Sequence, residues 1–125
     1  MKTDLVEIFQ TIRANVQPYS TNGFAARINS EDTYEIWSEK ALDVNGNALE
    51  PSLFASIKIE ENSVLFDLIP IEKDPELKKL IHEDLVKLLK EKSRFVITQL
   101  DEALTGHITD ALVVGYTSYK QKGWV

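Results

Sequence analysis

The sequence predicts an α+β fold, with a mainly antiparallel five-stranded sheet and about three helices packed on it. The predicted order is α-β-β-β-β-α-β-α, in a single domain over residues 1–125. Two hairpins, at residues 24–38 and 53–71, carry this prediction because their apolar residues stay on one face across the turn. A one-residue slip would move one strand's apolar side chains to the other face, so each pairing is strongly specified. Helices packed on the sheet would bury the remaining apolar stripes.

The second hairpin gives the stronger pattern. Every odd position from Leu53 to Ile59 is apolar, and a tight turn at Glu61-Asn62 leads into the next strand. This turn predicts three apolar pairs on one face: Ile59 with Val64, Ile57 with Phe66 and Ala55 with Leu68.

The first hairpin has a short polar loop over residues 30–32. Closing it pairs Ala26 with Ile36 and places Arg27 opposite Glu35 on the other face. It also predicts one further apolar pair, Ile28 with Tyr34.

Three segments have apolar residues at helical spacing: residues 4–16, 74–89 and 101–122. Asp74-Pro75 is a typical helix start, a break is expected near His82, and Gly123 suits a helix end. Residues 95–97 predict a fifth strand, and residues 39–52 predict a loop. The predicted core draws on all of these elements: Phe9, Ile12, Ile28, Tyr34, Ile36, Ile57, Phe66, Leu68, Leu77, Leu88, Phe95, Ile108 and Leu112.

Composition restricts the class of partner. The net charge is −6 and the pI is about 4.9, which argues against nucleic acid and anionic membrane surfaces as partners. The chain has no cysteine, so it has neither disulfides nor thiolate chemistry. No stretch approaches the roughly 18 apolar residues of a membrane span, and we expect a cytoplasmic protein.

The histidines and carboxylates predict no cofactor and no metal site. His107 stands three residues before Asp110, and His82 precedes Glu83 and Asp84. A transition metal needs three or four convergent ligands, whereas these are scattered pairs, so capping or solvated histidines are the simpler interpretation. Carboxylates at residues 60–61 and 72–76 leave open a weak surface site for a hard cation such as iron or calcium.

The second face of the predicted sheet is unusually apolar. It should carry Trp37, Phe54, Leu65 and Ile69 beside charged residues that include Asp67. Either a helix covers this face or it binds a partner. We expect the Asp67 carboxylate to be solvated or paired with Lys58. In the alternative, burial raises the pKa of Asp67, and the residue could then act as a general acid.

The segment from Pro51 to Ile81, PSLFASIKIEENSVLFDLIPIEKDPELKKLI, and the ending GYTSYKQKGWV resemble a group of small bacterial domains of unknown function, the YdhG-like family. The resemblance implies an α+β sandwich. One branch of that family implies a frataxin-like iron chaperone, and no catalytic residue is implied.

These observations predict a non-catalytic binding or interaction domain. Its surface would self-associate as a homodimer or bind a small apolar ligand, and would comprise Trp37, Phe54, Leu65, Asp67 and Ile69. Two alternatives stay open: an acidic iron-binding chaperone, and an enzyme that uses Asp67 as general acid or base. No nucleophile or phosphate-loop motif supports the enzyme, and no catalytic residue is predicted.

Overall fold

The computed structural model describes residues 2–39 and 52–125, so most of the predicted loop at 39–52 lies outside the described residues. Five strands form one antiparallel sheet in the order β1-β2-β3-β4-β5, which confirms the predicted fold class. The strands are β1 (Phe24–Asn29), β2 (Thr33–Ser38), β3 (Ser52–Ile59), β4 (Val64–Leu68) and β5 (Arg94–Ile97). The α-helices are α1 (Leu5–Val16), α2 (Pro70–Lys73), α3 (Glu83–Val86) and α4 (Glu102–Gln121), with 3-10 helices at Gln17–Thr21 and Pro75–Leu80.

The core lies between one face of the sheet and helices α1 and α4. Burial alternates along β4 and β5, as expected for a sheet covered on one face. Most of the predicted core is buried: Phe9, Ile12, Tyr34, Ile36, Ile57, Phe66, Leu68, Phe95, Ile108 and Leu112. Leu77 and Leu88 are only partly buried, at the edge of the same cluster.

The second hairpin has the predicted register at all three apolar pairs. Beyond it, residues 88–90 run along the outer edge of β5. The Val96 N–H donates to the Leu88 carbonyl (3.0 Å), and the Lys90 N–H donates to the Arg94 carbonyl (2.9 Å). These bonds protect an edge that would otherwise invite pairing with another chain.

The register predicted for the first hairpin is wrong beyond Ala26. Ala26 pairs with Ile36 as predicted, but a β-bulge follows, and Ile28 then lies opposite Glu35. A bulge adds one residue to a strand and so reverses the facing of the residues beyond it. Ile28 is therefore 42% exposed and does not belong to the core. The predicted Arg27–Glu35 pair is replaced by a bidentate pair of Arg27 with Glu39.

A second bulge corrects the prediction for Phe54. Ile36 pairs with Ala55 and Trp37 pairs with Leu53, so Phe54 is the extra residue of β3. Its ring is fully buried on the helix side, stacked on Phe24 at 4.3 Å between centroids. Phe54 is thus a core residue and not part of the second face.

Both long helices have capped N-termini, and the glycine predicted at the end of α4 is present. Asp4 and Asp101 accept hydrogen bonds at the starts of α1 and α4, and Gly123 follows α4 with φ +77°. The predicted helix at 74–89 is instead a 3-10 helix, an extended residue at Ile81 and the short helix α3. The break expected near His82 is therefore present.

Candidate interaction face and histidine cluster

The second face of the sheet is partly exposed over the described residues. We call it the open face and define it by Glu35, Trp37, Leu53, Ser56, Lys58, Leu65, Asp67, Arg94 and Val96. Seven of these nine side chains are half-buried, whereas Ser56 is buried and Lys58 is exposed. The helix-facing neighbours along β2, β4 and β5 are buried throughout.

A polar row crosses the middle of the open face. The register aligns Glu35 with Ser56, Ser56 with Asp67, and Asp67 with Arg94. The Arg94 guanidinium donates to both oxygens of Asp67, at 2.9 and 3.1 Å. The Ser56 hydroxyl donates to Glu35 at 3.4 Å. The row is therefore negative at the β2 end and has its cation at the β5 end.

Apolar side chains flank the polar row on both sides. Trp37 lies opposite Leu53 on one side, and Leu65 lies opposite Val96 on the other. The Trp37 indole N–H donates to Glu35 at 3.2 Å, and the Arg27 guanidinium lies 5.4 Å from the centre of its ring. These contacts hold the indole in place on the partly exposed surface.

The charges around the open face are largely paired within the chain. Lys58 pairs with Glu60 at 3.3 Å, not with Asp67 as the sequence analysis allowed. Arg27 pairs with Glu39 at 2.9 Å. Because most of these charges are paired, the face has little net electrostatic potential. Charge repulsion would therefore do little to keep a partner away from the apolar flanks.

Asp67 is bound by arginine. Both of its oxygens accept hydrogen bonds from Arg94, which suits an ionised carboxylate better than a proton donor. These hydrogen bonds raise the pKa of the Arg94 guanidinium above its ordinary value. The geometry thus gives Asp67 a binding partner and offers no support for the general-acid role.

The remaining predicted site residue, Ile69, lies in a cleft beside Asp67. The cleft has a volume of about 620 Å³, and its lining also includes Leu53, Glu72 and residues 91–94. Charged side chains make up most of this lining. A site for a small apolar ligand is usually lined by apolar and aromatic groups, so the cleft does not favour that ligand class.

The structure brings His107 next to His82 and Asp84, which the sequence alone does not place together. His82 caps α3, and its Nδ1 accepts a hydrogen bond from the Asp84 N–H at 3.0 Å. His107 of α4 stacks on His82 with ring centres 3.7 Å apart and planes 8° apart. The Asp84 carboxylate lies 3.8 Å from His82 Nδ1. We call His82, Asp84 and His107 the histidine cluster.

A cavity of about 220 Å³ lies beside the histidine cluster. Asp84 and His107 line it, together with Thr98, Gln99 and Asp101. The sequence contained one relevant signal, since the chain has only two histidines. Their contact depends on how residues 70–89 fold back on α4, which residue spacing does not determine.

Comparison with protein-family models, with curated proteins and with solved structures finds no match to this chain. Over residues 2–39 and 52–125, no helix combines the length and apolar character needed to cross a bilayer.

Proposed function

We propose that this chain is an interaction domain that forms a homodimer through the open face. The observation that carries the proposal is the half-buried apolar surface at Trp37, Leu53, Leu65 and Val96, beside charges that are mostly paired within the chain. Apolar surface of this kind marks partner sites, and tryptophan and arginine are the residues that most often dominate interface energy.

The charge pattern favours a second copy of the same chain as the partner. The polar row begins at Glu35 and ends at Arg94. A two-fold axis parallel to the strands, passing through the middle of the row, reverses the row of one protomer over that of its partner. Each Glu35 then faces an Arg94, and each apolar flank stays on its own side of the row, over the partner's strands. A two-fold interface requires a self-complementary surface of this type.

The area of the open face determines how strong a dimer we expect. The four strands that form the open face are about 4.8 Å apart and each about five or six residues long, so they cover roughly 300–400 Å² per protomer. Two protomers would then bury about 700 Å², below the usual 1,200–2,000 Å² of stable complexes. We therefore expect a reversible dimer that dissociates on dilution.

Light scattering and sedimentation across a concentration series test the proposal. Wild type should show an average mass that rises from monomer toward dimer with concentration. Trp37→Ala and Val96→Lys should shift the series toward monomer. Val113→Lys is the matched control, because Val113 is an exposed valine (51%) on helix α4, away from the open face.

Circular dichroism establishes that each variant is folded. A wild-type chain that stays monomeric at millimolar concentration would contradict the proposal, and so would equal loss of dimer in Val96→Lys and Val113→Lys.

The cytoplasmic location and membership of the YdhG-like family stay predictions from the sequence. The proposal of a non-enzymatic domain is supported by Asp67, whose carboxylate is bound by Arg94. The acidic iron chaperone has no specific observation in its favour, because no three carboxylates converge in the part of the chain that the structure describes.

A further inference from the structure

We propose that the histidine cluster binds one divalent transition-metal ion, with zinc as the reference case. Two imidazoles and one carboxylate form a donor set that zinc, cobalt and nickel accept, whereas calcium and magnesium prefer oxygen ligands. One ligand atom from each of His82, Asp84 and His107 lies within 4.8 Å of the other two. In the part of the chain that the structure describes, no other set of three such residues converges in this way.

The donor atoms are near the spacing that a metal requires. Ligand atoms bound to one tetrahedral zinc at about 2.0–2.1 Å lie roughly 3.3 Å apart. The cluster must therefore contract by about 1.5 Å at its widest separation. His82 and Asp84 can supply this movement, because their side chains are 47% and 58% exposed and lie at the start of a four-residue helix. His107 is the fixed ligand, since it lies inside the 20-residue helix α4.

Metal binding must separate the two stacked rings. A metal ion lies in the plane of each imidazole that binds it, and the near-parallel planes of His82 and His107 cannot both contain one ion. Binding also replaces the helix cap, because His82 Nδ1 accepts the Asp84 N–H. A neutral imidazole that binds metal through Nε2 carries its proton on Nδ1, and one that binds through Nδ1 has no free lone pair there. In either binding mode, the Asp84 N–H loses its hydrogen bond to His82 Nδ1.

The cavity supplies room for a further ligand. Three protein ligands leave one tetrahedral position for water or a small anion, which is the arrangement of metal sites that exchange ligands. Asp84 and His107 both line the adjoining cavity of about 220 Å³. Lys87 lies 3.6 Å from the Asp84 carboxylate and competes with the metal for it, but its side chain is 72% exposed and free to turn away.

Calorimetric titration of the tag-free 125-residue chain with zinc chloride tests the site. We expect one zinc per chain. His82→Asn removes an imidazole but keeps a good helix cap, and His107→Gln removes the fixed ligand. Each substitution should weaken zinc binding at least tenfold, and together they should abolish it. Asp110→Asn is the control, because Asp110 is an exposed carboxylate of α4 outside the cluster, and its affinity should stay within twofold of wild type.

Two spectroscopic measurements separate ligation from a general effect on folding. Cobalt should give the intense visible bands of a four-coordinate ion in wild type, and these should vanish in His107→Gln. One equivalent of zinc should shift the imidazole signals of both histidines and the amide signal of Asp84 in nuclear magnetic resonance spectra. Zinc affinity unchanged by His107→Gln in a folded variant would overturn the proposal, as would equal weakening by Asp110→Asn. The site is separate from the open face, so failure of either proposal leaves the other testable.

Discussion

At the residue scale, the burial of Tyr119 makes the stability of the fold depend on pH. Its ring is fully buried, and its hydroxyl donates to the Leu53 carbonyl at 2.9 Å and lies 3.1 Å from the Ser52 hydroxyl. Burial raises the pKa of Tyr119 to about 12, which disfavours the phenolate in the folded chain. Burial also raises the pKa of Tyr19.

This shift predicts loss of stability in alkali. The unfolded tyrosine loses its proton near pH 10 while the folded one keeps it, so the stabilisation is complete below pH 10 and disappears toward pH 12. The free energy of unfolding, measured in urea, should fall by about 2–3 kcal/mol through this window. Tyr119→Phe removes the titrating group, so its slope against pH should be clearly smaller. An unchanged slope in that variant would assign the pH dependence to other groups.

The Asp67–Arg94 pair predicts a coupling that can be measured. The Asp67 side chain is 14% exposed and that of Arg94 is 38% exposed. Removal of the guanidinium leaves the largely buried Asp67 carboxylate without its hydrogen bonds from Arg94, so Arg94→Gln should lower the free energy of unfolding by about 1–2 kcal/mol. A double-mutant cycle with Asp67→Asn should give a coupling energy of about 1 kcal/mol, discounted for the exposure of Arg94. Additive effects would mean that the pair does not stabilise the fold.

At the element scale, helix α4 contains two glycines in opposite environments. A Cβ added at Gly106 would meet nothing within 4 Å, whereas one at Gly115 would lie 3.1 Å from Pro70 Cγ and 3.3 Å from Leu68 Cδ1. Gly115 thus permits α4 to pack closely on the sheet and on α2, while Gly106 only adds flexibility to the helix.

The two glycines should respond differently to alanine. Gly106→Ala should raise the free energy of unfolding by about 0.5–1 kcal/mol, because alanine is the better helix former. Gly115→Ala gains the same propensity but introduces a crowded methyl group, and should be at least about 1 kcal/mol less favourable than Gly106→Ala. Urea unfolding of the two variants and wild type measures this difference. Equal effects would show that the neighbours of Gly115 move aside without cost.

Element by element, the sequence predicted the regular hairpin and missed the irregular features. Residues 55–68 pair as predicted because alternation and turn length together define an unbulged register. Alternation cannot reveal an extra residue, so the two bulges displaced Ile28 and Phe54 from their predicted faces. Trp37, Leu65 and Asp67 lie on the open face as predicted, whereas Phe54 and Ile69 do not. The histidine cluster could not be predicted, because its contact joins residues 25 positions apart through the fold of short helices.

At the scale of the whole molecule, Trp124 joins the last helix to the sheet. Its ring is 9% exposed and packs edge-on against Tyr119, with centres 4.9 Å apart. Its backbone carbonyl accepts a hydrogen bond from the Ser38 hydroxyl of β2. The ammonium groups of Lys122 and Lys73 lie 4.9 and 5.6 Å from the ring centre. One residue therefore contacts the end of α4, strand β2 and helix α2.

Trp124→Ala should consequently destabilise the entire fold and not only the end of the chain. Truncation of a buried tryptophan typically costs 3–5 kcal/mol, and a site near the surface belongs at the lower end, about 3 kcal/mol. For a chain of this length the melting temperature should fall by roughly 10 °C. Leu80→Ala is the control, because Leu80 is 67% exposed and should change stability by less than about 0.5 kcal/mol. Hydrogen exchange distinguishes the two possible consequences. A global role for Trp124 requires faster exchange at the β2 and β3 amides, whereas faster exchange confined to the last turn of α4 would reduce Trp124 to a local contact.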